Sequence, residues 1–143
     1  MTQNQLVKFI RLHGGKDIEV KFKSLGFYAG LAFPLENRIE LDNKLPLTIS
    51  WLEESLLLHE IGHLKRDNSM NKKMHKSSVM REYVAQKWAL DYARDNLMYD
   101  IYVDLVNATR DWASYSWNRD GGKWRKYRLA ARKLIKNGHA KLV

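Results

Sequence analysis

The stretch from residue 53 to residue 65, EESLLLHEIGHLK, decides the fold and contains the motif that carries the chemistry. His59, Glu60 and His63 form the pattern H-E-x-x-H inside a run with helical spacing of leucine and isoleucine. At roughly 100° per residue, the two histidines project from one face of a helix, one turn apart, so both imidazoles can reach a single ion. Glu60 leans from the adjoining edge toward the open coordination position. The spacing therefore predicts a metal site.

The same stretch shows where the helix begins and ends. Ser50 and Glu53 form a capping-box pattern, so we expect a helix that begins near them and runs to about Arg66. Two histidines on such a helix could instead simply pack and form hydrogen bonds. That alternative is disfavoured because burying two imidazoles and a carboxylate is costly unless something pairs them. A divalent cation would do so.

A catalytic zinc site needs a third protein ligand. The pattern H-E-x-x-H-x-x-G-x-x-H is excluded, because Arg66 and Ser69 stand where it requires glycine and histidine. Glu82 is the only acidic residue in residues 68–90 and is therefore the favoured third ligand. The small residues at positions 85 and 89 would let its helix approach the first one closely. His75 remains the alternative ligand.

Outside this motif, the sequence predicts three short strands before it and amphipathic helices on both sides of it. Residues 18–22, 27–33 and 38–41 are predicted to form a small three-stranded antiparallel sheet. Helices are predicted over residues 2–13, 50–66, from 78 onward, 101–116 and 123–136, with a polar loop at 68–77. We therefore expect an α+β fold in a single domain, residues 1–143.

Composition narrows the function classes. The chain has 143 residues, a hydrophobic fraction of 45% and no cysteine. Disulfide scaffolds, cysteine-based metal sites and thiol nucleophiles are therefore excluded, and any metal must be held by histidine and carboxylate side chains. The sequence has no long apolar run, so we expect no transmembrane span and no signal peptide. We therefore expect a cytoplasmic protein with no membrane partner.

The net charge of +9 resides at the C-terminal end, because residues 123–143 contain eight Lys or Arg and no acidic residue. The last predicted helix has an apolar face with Trp124, Tyr127, Ala131, Leu134 and Ile135. It is either a packing helix with a solvated cationic side or a surface for nucleic acid or an acidic protein. The basic residues of this candidate surface are Lys123, Arg125, Lys126, Arg128, Arg132, Lys133 and Lys136.

The motif at residues 59–63, followed by EYVAQKWA at residues 82–89, resembles the ImmA/IrrE-type metallopeptidases, small zincins of phages and mobile elements. The resemblance covers residues of about 38 to 93, the expected catalytic core, and leaves a helical extension at 100–143. It implies a minimal zincin-like fold in which His59, His63 and Glu82 bind one Zn²⁺ and Glu60 is the general base. Gln86 departs from the family, which usually carries Asp or Asn there.

Two functions follow as expectations. The first is a zinc-dependent endopeptidase that cleaves an intracellular protein or peptide, which the resemblance implies to be a DNA-binding regulator. Its substrate would extend the sheet along an edge strand formed by Arg38, Ile39, Glu40 and Leu41. The second is a non-catalytic binding module of zincin fold that docks through its basic C-terminal helix. The candidates for an oxyanion donor are His75, Arg81, Tyr115 and His139.

Overall fold

The computed structural model describes residues 1–26, 28–45, 52–65, 77–114 and 124–142. These residues form three strands and five α-helices, so the predicted α+β class is confirmed. In chain order they are α1 (Gln3–Gly14), β1 (Glu19–Lys23), β2 (Gly30–Phe33), β3 (Arg38–Asp42), α2 (Glu53–Lys65), α3 (Ser78–Asp95), α4 (Tyr99–Ala113) and α5 (Arg125–Lys136).

The sheet is mixed, with the strand order β1-β3-β2. β2 is antiparallel to β3 and is joined to it by a short 3-10 helix, Pro34–Glu36, with Asn37 at a φ of 49°. β1 runs parallel to β3, with Val20 opposite Ile39. The expected all-antiparallel sheet is therefore wrong. Alternation of apolar and polar residues shows which face of a strand is buried, but it carries no information on strand direction.

β3 is the central strand, so the prediction that Arg38, Ile39, Glu40 and Leu41 form an edge strand is wrong. Its backbone is paired on one side with β1 and on the other with β2. Because both sides are already hydrogen-bonded, the main chain of these four residues cannot take up a substrate strand. Within the described residues, the sheet edges are β1 and β2, and β2 is the edge strand that packs on α2.

α2 is the central helix and packs against α1, α3, α4 and the sheet. Eight consecutive residues, 55 to 62, are buried, as expected of a helix that is covered on every side. Leu57, Leu58 and Ile61 are fully buried in the core, together with Ile39 and Leu41 of β3. The C-terminal extension closes the other side, because α5 packs on both α3 and α4.

The predicted helices correspond to α1 through α5 with shifts of a few residues at their ends. Ser50 of the predicted capping box, Phe27, the loop at 68–76 and the break at 120–122 lie outside the described residues. None of the helices in the described part of the chain has the length and apolarity needed to cross a membrane.

Candidate metal centre

His59, His63 and Glu82 bring one ligand atom each to a common place between α2 and α3. Nε2 of His63 lies 2.9 Å from Oε1 of Glu82 and 3.1 Å from Nε2 of His59. Nε2 of His59 lies 3.4 Å from the same Glu82 oxygen. Donors held about 2.0–2.1 Å from a tetrahedral ion are about 3.3 Å apart. The spacing is therefore close to a ligand set, and this group could hold a metal ion.

The two helices approach closely because the residues at their crossing are small. A Cβ added to Gly62 would overlap the carbonyl oxygen of Ala85 and lie 3.0 Å from the Ala85 Cα. Ala85 and Ala89 are both fully buried, as the sequence argument for close helix packing requires. This crossing places Glu82, one turn before Ala85, beside the histidines.

Glu82 and His59 are both buried, and each shifts the pKa of the other. Burial by itself would raise the pKa of Glu82, but the adjacent His63 and His59 imidazoles hold that pKa well below its usual value. Burial would lower the pKa of His59, but the hydrogen bond and charge of Glu82, together with the charge of Glu60 and the hydrogen bond to Gln86, outweigh burial and raise it. Because a metal ligand must be a neutral imidazole, binding of an ion here is favoured as pH rises.

Gln86 orients His59 through a chain of buried hydrogen bonds. Nδ1 of His59 donates to Oε1 of Gln86 over 2.8 Å. Nε2 of Gln86 in turn donates to Oγ1 of Thr109 over 3.0 Å, and the Thr109 hydroxyl donates to the Leu105 carbonyl oxygen over 2.8 Å. The amide thus fixes the orientation of the His59 ring. Sequence reasoning missed Thr109, which looks like an ordinary helix residue.

Glu60 lies beside the ligand group and is turned toward β2. A Cβ added to Gly30 would lie 3.2 Å from Cγ of Glu60, so this side chain packs directly over the strand backbone. Burial raises the pKa of Glu60 and outweighs the opposing effect of the His63 and His59 imidazoles. A buried carboxyl with a raised pKa has a higher proton affinity than an exposed one, which suits it to accept a proton from water.

Aromatic side chains of the C-terminal extension lie next to the His59 ring. Trp112 meets that ring edge-on, with 5.5 Å between centroids, and Tyr127 lies 5.0 Å from Trp112. Trp124 follows at 5.6 Å from Tyr127. Trp124 and Tyr127 belong to the apolar face predicted for the last helix, and Trp112 is buried. The position of Trp112 beside His59 had no signal in the sequence.

The basic residues of the predicted anionic-partner surface separate into two groups. Arg125, Arg132, Lys133 and Lys136 are exposed on α5, whereas Lys126 and Arg128 are partly buried. Ile135 of the predicted apolar face is 41% exposed, and Ala130 is buried in its place. Lys123 lies outside the described residues.

Two of the predicted site candidates, His75 and Tyr115, also lie outside the described residues. Arg81 lies in the first turn of α3 and is partly buried. The His139 ring lies 6.2 Å from the ring of Tyr83, to whose hydroxyl Asn137 donates.

A comparison of the chain with protein-family models finds no match. Comparisons with curated proteins and with solved structures find none either. The interpretation of the site therefore depends on its own geometry.

Proposed function

We propose that this chain is a zinc-dependent endopeptidase that hydrolyses peptide bonds of an intracellular protein in the cytoplasm. The observation that carries the proposal is the convergence of His59, His63 and Glu82, with Glu60 buried beside them. Structural zinc sites are closed by four protein ligands, whereas catalytic sites keep one position open. In the described part of the chain this group offers three ligands, next to a carboxylate suited to proton transfer.

The residues present fit zinc. Two imidazole nitrogens and one carboxylate oxygen are a common catalytic donor set for this ion. When bound, zinc supplies a Lewis acid that polarises a carbonyl group and makes water nucleophilic near neutral pH. Oε1 of Gln86 accepts a hydrogen bond from the Nδ1–H group of His59, and Nε2 of His59 is therefore directed at Glu82 and His63. The chain therefore holds one imidazole in the form that a metal ligand requires.

Glu60 moves the proton in the proposed reaction. Its carboxylate takes a proton from the attacking water and later delivers it to the leaving amine. The raised pKa of Glu60 brings its proton affinity closer to that needed for both steps at neutral pH. No covalent intermediate with the protein is required.

β2 offers a peptide substrate a backbone edge beside Glu60. In the part of the chain that the structure describes, β2 pairs on one side only, with β3. A peptide that lies along the other side of Gly30–Phe33 would extend the sheet next to Glu60. We therefore assign the substrate-binding strand to β2, in place of the stretch Arg38–Leu41.

The resemblance of residues of about 38 to 93 to ImmA/IrrE-type peptidases supports a protein substrate, and by that likeness a DNA-binding regulator. The alternative function is a zincin-fold module that binds nucleic acid or an acidic protein. The four exposed basic residues of α5 favour such binding. Binding of a partner does not require a buried Glu60 beside the metal ligands, whereas hydrolysis does, so we favour the enzyme.

The proposal is tested on the purified wild type, Glu60→Gln and Glu82→Ala proteins. We expect about one zinc per wild-type chain by elemental analysis, and cleavage of fluorescein-labelled casein or of a quenched peptide library. Glu60→Gln should keep zinc and lose at least about 100-fold in rate, because the base is gone. Glu82→Ala should lose the ion. An unchanged rate in Glu60→Gln, or zinc retained in Glu82→Ala, would refute these assignments.

A further inference from the structure

Lys126 of α5 lies close to the start of β2. Its ammonium lies 5.8 Å from the ring centroid of Tyr28 and 5.1 Å from that of Tyr127. Tyr28 precedes β2 by two residues, and Gly30 of β2 contacts Glu60. Lys126 therefore spans from the first turn of α5 to the start of the strand that borders the proposed catalytic base.

Lys126 brings a positive charge to this end of β2. It is partly buried, and its ammonium lies near the ring of Tyr28, two residues before Gly30. Within the described ranges Lys126 contacts aromatic rings and forms no ion pair with a carboxylate. Lys126 is therefore a partly buried cation without a carboxylate partner in the described part of the chain. A partly buried cation of this kind favours an anionic ligand.

We infer that Lys126 is a specificity-determining residue that binds a carboxylate of the substrate. The peptide would carry an acidic side chain, or its own C-terminal carboxylate, near the bond that is cleaved. The ammonium of Lys126 lies near the rings of both Tyr28 and Tyr127, which limits where that carboxylate can lie. The inference rests on the proposed function, because it assumes that the bound ligand is a peptide.

The test measures binding separately from hydrolysis. Zinc-loaded Glu60→Gln protein is titrated into fluorescein-labelled peptides that differ only in Glu or Gln at one position, each with a free or an amidated C-terminus. We expect peptides with the preferred carboxylate to bind about tenfold more tightly, as a partly desolvated ion pair allows. The Glu/Gln and acid/amide contrasts identify whether that carboxylate is a side chain or the terminus.

Substitutions at Lys126 show whether this side chain causes the preference. Lys126→Met keeps the length of the side chain and removes its charge, so the ratio of affinities should fall to about one. Lys126→Arg should keep the preference. Lys8→Met, which removes an exposed charge on α1, is the matched control and should also keep it.

The outcomes separate the inference from the proposed function. Equal binding of acidic and neutral peptides, no binding of any peptide, or a preference that persists in Lys126→Met overturns the inference. If the wild type cleaves peptides without favouring acidic ones, the inference fails and the proposed function stands. If acidic peptides bind through Lys126 but none is cleaved, the proposed function fails and carboxylate recognition stands.

Discussion

At the scale of single residues, a buried amide determines which nitrogen of His59 faces the other ligands. Gln86 can accept a hydrogen bond from the Nδ1–H group only if its amide oxygen points toward the His59 ring. Thr109 holds the amide in that orientation, because it accepts a hydrogen bond from the amide nitrogen. The Thr109 hydroxyl is itself oriented, because it donates to the Leu105 carbonyl oxygen. A neutral amide polarises the imidazole less than a carboxylate would, but it fixes the same tautomer.

Removal of the Thr109 hydroxyl should therefore weaken metal binding. Thr109→Val leaves the Gln86 amide nitrogen with only the Leu105 carbonyl oxygen, 3.5 Å away. We expect zinc affinity to fall by about tenfold, the lower range for loss of an outer-shell partner. Competition with a chromophoric chelator measures the affinity. Thr109→Ser, which keeps the hydroxyl, should bind like the wild type, and equal affinity in Thr109→Val would contradict the role of this chain of hydrogen bonds.

At the scale of elements, the site depends on how closely α2 and α3 approach each other. α2 carries both histidines and α3 carries Glu82, so the ligand spacing is set by the distance between the two helices. Gly62 and Ala85 set that distance, since their backbones are in contact at the crossing. Larger residues there would separate His63 from Glu82.

Gly62→Ala tests this crossing. A methyl group normally stabilises a helix by about 1 kcal/mol relative to glycine. Here the added carbon would meet the backbone of Ala85, which cannot rotate away as a side chain could. Overpacking costs about 1–3 kcal/mol or more, so we expect a net loss of about 2 kcal/mol in the free energy of unfolding, together with weaker zinc binding. Urea unfolding checks this expectation, and a more stable Gly62→Ala protein would contradict it.

The elements that could be predicted are those with local patterns. The helix at 53–65 was predictable because its leucine spacing and its H-E-x-x-H motif agree, whereas the capping signal at Ser50 lies outside the described residues. The pairing of β1 with β3 could not be predicted, because strand order and direction depend on contacts between residues far apart in the chain. The same limit concealed Thr109, which contacts Gln86, and Trp112, which contacts His59, because both contacts depend on how α4 packs in the fold.

At the scale of the whole molecule, a metal ion would join elements that are distant in the chain. His59 and Glu82 are separated by 23 residues, and Gln86 links them to α4. Binding to the folded state alone stabilises a protein by about 2.7 kcal/mol when the free ion is at 100 times its dissociation constant. For a chain of this size, that corresponds to a rise of about 8 °C in Tm.

The size of this rise should depend on pH. Without metal, the raised pKa of His59 gives stability that is present below its ordinary pKa of 6.5 and is lost as pH rises through the raised value. The lowered pKa of Glu82 gives stability that is present above 4.5 and is lost as pH falls through the lowered value. Zinc needs neutral imidazoles, so the difference in Tm between zinc-loaded and chelator-treated protein should be larger at pH 8 than at pH 6.

Differential scanning calorimetry at the two pH values measures this difference. Glu82→Ala is the control, because a protein without the third ligand should show little response to zinc at either pH. The same response at pH 6 and pH 8, or a full response in Glu82→Ala, would contradict the expectation.

The three residues of the candidate metal centre come from α2 and α3, whereas Trp112, Tyr127 and Lys126 come from α4 and α5. In evolution these two sets can diverge independently. Under the proposed function, a lineage that exchanges residues of the final helix would acquire new targets, while the residues proposed for hydrolysis stay intact. Such proteins would then differ most in which sequences they cut and least in how they cut them.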